Sequence, residues 1–260
     1  MNGRRAIVGL CLLCAMAFSA IAAQSAMAAK GTTMFTCTSS APTKTFGTAD
    51  CNTAGSGFGH VEVAQDLTTH AKYVAAGPQI FKSTIAGTAF TLSTSELIGT
   101  GSCFNRLNGK EHWIQCLEVI LHYTNVVVNL PAGCGVKSVP GEVAGTIQTN
   151  ALKATTQTEQ MAVKLEPEAG TTLAEWEWTG APTCPFSGKA KVVGSITCVP
   201  SGAELVCNHA EVTASKTLRF GSAAGNPAGY EGRATITGGK EKPEKGEPTN
   251  PLSSTTVETA

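Results

Sequence analysis

The sequence predicts an all-β protein, an antiparallel β-sandwich or barrel-like fold stapled by disulfides. Three observations carry that expectation. Short β-branched runs alternate with Gly, Pro, Asn and Ser turns along most of the chain. No long segment shows a clean helical period. Eight cysteines remain beyond an N-terminal leader, and an even count in an exported chain reads as a disulfide framework.

The leader comes first. Arg4 and Arg5 precede an apolar stretch from Ala6 to Ala23, and Ala26 and Ala28 flank Met27. A charged start, an apolar middle and a small-residue exit make a secretory signal peptide over residues 1–28. The stretch is near the minimum for spanning a membrane, but its exit favours cleavage. Cys11 and Cys14 lie inside it, too early for a lipid-anchor cysteine. No later run is apolar enough to span, so no membrane span is expected after cleavage. The expected location is secreted, extracellular or at the cell surface.

The chain carries 19 basic and 19 acidic residues. Losing Arg4 and Arg5 tips that balance slightly negative. There is no basic excess for a nucleic-acid backbone and no polybasic patch for an anionic membrane. The region 29–238 is long enough for one β domain, with two β halves split near 130–134 as the alternative. Its strand-like segments run in order: HVEVAQ, AKYVAA, TAFTLSTS, GTIQTN, MAVKLEP, AKVVGSITC, ELVCNHAEVT, TLRFG and GRATIT. The tail 239–260, rich in Lys, Glu, Pro and Thr, has little to bury and is expected to be disordered.

EHWIQCLEVILHYTNVVVNL, residues 111–130, concentrates polar residues in an apolar run. Read as a strand, His112 and His122 fall on one face together with Cys116 and Glu118. Ten residues of strand span about 33 Å, and as a helix about 15 Å. A metal holds its ligands about 2 Å from one centre. The two histidines therefore cannot share an ion, and the segment reads as a core strand. No metal, cofactor or catalytic residue is expected here.

TTLAEWEWTG alternates in the same way. Ala174, Trp176 and Trp178 share one face, and Glu175 and Glu177 the other. The main expectation is tryptophan in the core and glutamate in water. The alternative is an exposed sugar-stacking platform of Trp176 and Trp178, making the chain a carbohydrate-binding module. The two carboxylates, about 6.6 Å apart along one strand, are a poor glycosidase pair.

The eight cysteines allow about a hundred pairings. Pairing of sequence neighbours is expected: Cys37–Cys51, Cys103–Cys116, Cys134–Cys184 and Cys198–Cys207. The last has a local argument, since Pro200, Ser201 and Gly202 separate two strand-like halves that would place the cysteines opposite each other. Zinc is the rival, but no C-x-x-C pair lies beyond the leader.

Catalytic signatures are sparse. G-x-S-x-G, H-E-x-x-H and G-x-x-x-x-G-K-[ST] do not occur. GSGFGH at residues 55–60 lacks the spacing of a dinucleotide loop. Asp50 and Asp66 are the only aspartates, which disfavours calcium loops and Ser-His-Asp triads. A hydrolase with a dispersed site, His209 or His122 with a glutamate, is a second alternative.

From Cys134 onward, I-x-T-N-x-L-K-A, E-P-x-x-G-T-T and L-x-F-G stand as strand and turn patterns. These segments resemble uncharacterised exported β-rich proteins of high-GC Gram-positive soil bacteria. FKSTIAGTAFTLSTSELIGTGSC resembles them more weakly. In that group aliphatic residues are expected where Trp176 and Trp178 stand, which favours the core reading. The resemblance implies an exported β fold and no activity. The resulting expectation is an exported, non-catalytic protein with a structural or binding role, whose partner would be a cell-wall polysaccharide or a surface protein.

Overall fold

The computed structural model describes residues 30–48, 51, 53–62, 68–108, 111–138, 143–157, 162–201, 204–208, 217–239 and 253–257. The expected signal peptide, Asp50, Asp66 and His209 lie outside these residues. The chain begins with β1 (Lys30–Thr38) and β2 (Gly59–Glu62). Then come β3 (Thr69–Ala75), β4 (Gln79–Ile85), β5 (Thr88–Thr94), β6 (Glu96–Asn108) and β7 (Glu111–Thr124). Short β8 (Val127–Leu130), β9 (Gly135–Ser138) and β10 (Ile147–Gln148) lead to β11 (Leu152–Gln157), β12 (Ala162–Pro167) and β13 (Thr172–Thr179). The last group is β14 (Lys189–Val193), β15 (Ile196–Ser201), β16 (Glu204–Asn208), β17 (Arg219–Phe220), β18 (Asn226–Pro227), β19 (Gly229–Gly239) and β20 (Ser253–Val257). Within the tail expected to be disordered, β20 pairs antiparallel with β1; residues 240–252 and 258–260 lie outside the described ones.

Eight antiparallel strands close a barrel in the order β16–β15–β12–β11–β7–β6–β3–β19, with β16 pairing back onto β19. Closure removes free edges from this wall. The start of β19 pairs with β4 instead of β3, so the wall runs on as a leaf, β4–β5–β8. A second sheet, β18–β17–β14–β13–β9, shares an aromatic core with that leaf. Barrel-like and sandwich-like parts thus coexist.

The chain leaves one part of the fold for another at residues with left-handed backbone. AKVVGSITC, expected as one strand, divides at Gly194 (φ 104°) into β14 of the small sheet and β15 of the barrel. A Cβ there would run into the Thr217 carbonyl, so glycine is required. The stretch 111–130 divides at Asn125 (φ 50°) into β7 and β8.

All four expected disulfides form: Cys37–Cys51, Cys103–Cys116, Cys134–Cys184 and Cys198–Cys207. Cys103 and Cys116 are direct partners across β6 and β7. Cys198 and Cys207 stand opposite each other in the β15–β16 hairpin. In the strand order these two bridges occupy opposite walls of the barrel. Four disulfides fit an oxidising compartment. Among the described residues no helix is long and apolar enough to cross a membrane. The barrel is apolar inside, and its wall carries the ion pairs Lys153–Glu166, Lys164–Glu166 and Arg233–Glu204, the reverse of a lipid-facing barrel.

β6 is absent from the predicted strands because its glycines interrupt the pattern. Their reason is packing. A Cβ on Gly99 would stand 2.5 Å from Leu121 Cδ2 and 2.9 Å from the Ile120 carbonyl oxygen. One on Gly101 would stand 2.7 Å from Val119 Cγ2. The two glycines give the bulky side chains of β7 room inside the barrel.

Candidate ligand cavity between barrel and small sheet

Strand β7 supplies part of the site through a bulge. Thr100 faces Ile120, but Ser102 faces Leu117, so β7 carries one extra residue at 118–119. Glu118 takes a left-handed φ of 53°, and its amide donates to the Glu168 carboxylate. A bulge inverts the side-chain parity beyond it. Before it, Ile114 and Cys116 are buried; after it, Val119 and Leu121 are. The expectation that His112 and His122 share a face is therefore corrected. His112 is half-buried, 3.8 Å from Glu62, whereas His122 is exposed, opposite Ile98 and Gln148. Among the described residues no cluster of three or more His, Cys, Asp or Glu could hold a metal.

The same inversion brings Tyr123 inward. Its hydroxyl donates to Tyr230 at 3.2 Å, and Tyr230 donates to Gln79 Oε1 at 2.6 Å. Gln79 Nε2 then donates to the carbonyls of Gly77 and Arg233, each at 2.8 Å. This chain joins β7, β19 and β4. Gly232 makes space for it, since a Cβ there would collide with Gln79 Oε1 and the Tyr230 hydroxyl. Burial pushes the Tyr123 phenol up to about 12 and holds Tyr230 well above the ordinary tyrosine range.

Two cavities meet at this chain. One, of about 30 Å³, is lined by barrel residues that include Tyr73, Leu165 and the Cys198–Cys207 pair. The other, of about 70 Å³, lies between the barrel, the leaf and the small sheet. Gln79, Tyr123, Ile196 and Tyr230 line both. The larger cavity has room for several waters or a small organic group. Phe81, Ser93 and Tyr123, half-buried, are its most accessible lining residues.

Trp176 forms part of its wall and is 1 % exposed; Trp178 is 7 % exposed. Their rings lie 5.8 Å apart at 79°, and Trp176 meets Phe81 while Trp178 meets Phe90 and Phe186. A sugar platform needs exposed, coplanar rings, so these tryptophans do not form one. They are core residues, as the alternation implied. On the opposite face of β13, Glu177 pairs with Lys137 at 3.1 Å, and Glu175 faces Lys191 across the sheet.

No family model, curated protein or solved structure matches this chain. The cavity's chemistry must therefore be read from its own residues. Among the described residues, its lining includes no Asp, Glu, Lys, Arg or His. Its polar groups are mostly engaged: Ser93 accepts from Asn129 Nδ2 at 2.7 Å, Thr149 accepts from the Leu121 amide at 3.0 Å, and Thr94 donates to the Thr124 carbonyl. Trp176 differs. Its Nε1–H is buried and has no hydrogen-bond partner among the described residues. Sequence reading singled out Trp176 for its ring. Gln79, Tyr123 and Tyr230 escaped it because three polar residues scattered over strands carry no local motif.

Proposed function

We propose that the chain is an exported, non-catalytic binding protein that holds a small molecule in the cavity between barrel and small sheet. The observation that carries this reading is the cavity itself, set in a disulfide-stapled scaffold and walled by apolar side chains. A concave apolar site with a few converging polar groups is the usual form of a small-molecule pocket. The tyrosines are held protonated and the lining carries no other acid or base, which suits retention better than proton transfer. The leader-like start, the four bridges and the near-balanced charge support an extracellular setting.

The test is to express the chain with its leader, collect the exported protein and expose it to small-molecule extracts of culture medium. Bound compounds are identified by native mass spectrometry, then by solvent extraction. Release of an unchanged compound is the expected result. Catalytic consumption of a compound would overturn the reading.

A further inference from the structure

We infer that the cavity takes up an uncharged hydrocarbon group, with any polar part of the ligand left outside in water. This rests on the cavity being a binding site and goes on to specify what enters it. The cavity's surface, its hydrogen-bond inventory and its size point the same way.

The surface that the cavity presents is almost wholly apolar, built from side chains such as Leu92, Val126, Ile147, Val192, Ile196 and Leu218. Among the described residues the lining carries no counter-charge. A carboxylate or an ammonium would enter unpaired, which is strongly unfavourable. Neutral polar groups gain little more. The polar side chains of the lining answer one another or the backbone: Tyr123 donates to Tyr230, Tyr230 to Gln79 and Thr94 to the Thr124 carbonyl, and Thr149 accepts from the Leu121 amide. Trp176 Nε1–H is sealed off by its own neighbours, beyond the reach of a ligand. A carbonyl or hydroxyl carried past the mouth would therefore exchange water for no partner. Half-buried Phe81, Ser93 and Tyr123 mark the accessible side, where a polar end stays in water. The volume of about 70 Å³ is roughly half that of a dry apolar cavity that takes up benzene, which suits a branched group of a few carbons.

Isobutene, acetone and acetate share one Y shape and heavy-atom count, and differ in polarity and charge. Each is titrated into the full exported protein, and the methyl signals of Leu92, Val126, Ile147 and Val192 are followed by proton–carbon NMR. Isobutene should shift these methyl groups and bind at least about tenfold more tightly than acetone, the effect of leaving a carbonyl without a partner. Acetate should leave them unmoved. A further probe, 4-methylpentanoate, puts a similar branched end on a charged head and separates two sources of the group. Binding at least as tight as that of isobutene assigns the site to the end of a larger amphiphile; much weaker binding assigns it to a whole small molecule. Ala174→Val, which adds bulk to the lining, should weaken isobutene binding. Should that variant not fold, the wild-type methyl shifts decide alone. Acetone or acetate binding at these methyl groups as tightly as isobutene overturns the hydrocarbon class but leaves the binding site standing. No response to any probe at residues lining the cavity would overturn both this inference and the binding function beneath it.

Discussion

Tyr230 donates its hydroxyl hydrogen to Gln79 Oε1 at 2.6 Å, across 151 residues of chain. The bond ties the start of the leaf to the strand that closes the barrel, and Gly232 leaves the room it needs. Tyr230→Phe would leave a buried amide oxygen without that donor. A stability loss of about 1–3 kcal/mol is expected, read from urea unfolding. Gly232→Ala should cost at least as much, because its methyl group displaces the amide itself. If Tyr230→Phe unfolds at the wild-type urea concentration, the bond contributes nothing net.

The raised tyrosine pKa values set an alkaline limit. Below about pH 10 these phenols are neutral in folded and unfolded chains alike, so their contribution to stability is complete. Above it the unfolded chain releases protons that Tyr73, Tyr123 and Tyr230 retain when folded. Stability therefore falls as pH rises from 10 through the raised folded values, by up to about 1.4 kcal/mol per unit for each tyrosine. Urea midpoints measured from pH 8 upward should stay level and then drop. Tyr123→Phe should make that drop shallower.

The bridges should rank by the loop each closes. Cys134–Cys184 spans 50 residues and Cys198–Cys207 spans 9. Chain-entropy reasoning assigns the longer loop about 4 kcal/mol and the shorter about 2.6 kcal/mol. Replacing Cys134 and Cys184 together by Ser should thus lower the thermal midpoint more than replacing Cys198 and Cys207. The reverse order would mean that the buried hairpin bridge acts mainly through packing.

Gly99→Ala tests why β6 contains glycine. The added methyl group meets Leu121 and the Ile120 carbonyl inside the barrel. Overpacking of this kind costs about 1–3 kcal/mol. A Leu121→Ala change should cost less on the Gly99→Ala background than in the wild type, since there it also removes one of the two clashes. Thermal unfolding of the single and double variants measures the coupling.

Much of the fold was legible because strand signals are local. Alternation in TTLAEWEWTG put Trp176 and Trp178 on one face, and the structure buries both. The β15–β16 hairpin set Cys198 against Cys207 through turn chemistry within a dozen residues. The faces of β7 were misjudged because period-two reasoning assumes unbroken pleating, and one extra residue at Glu118 reverses every side chain after it.

The sequence by itself determined the fold class, the strand-and-turn texture and the cysteine framework. These depend on residue types and on spacings of a few positions, which local physics reads directly. Only the tertiary structure decided that the wall closes into a barrel, that a leaf continues from it, and that a cavity lies between leaf and small sheet. Closure and the Gln79–Tyr230–Tyr123 chain depend on partners far apart in sequence, and no local pattern records which distant strands will pair. The orphan N–H of Trp176 belongs to the same class: a missing partner becomes visible only when every neighbour is in place.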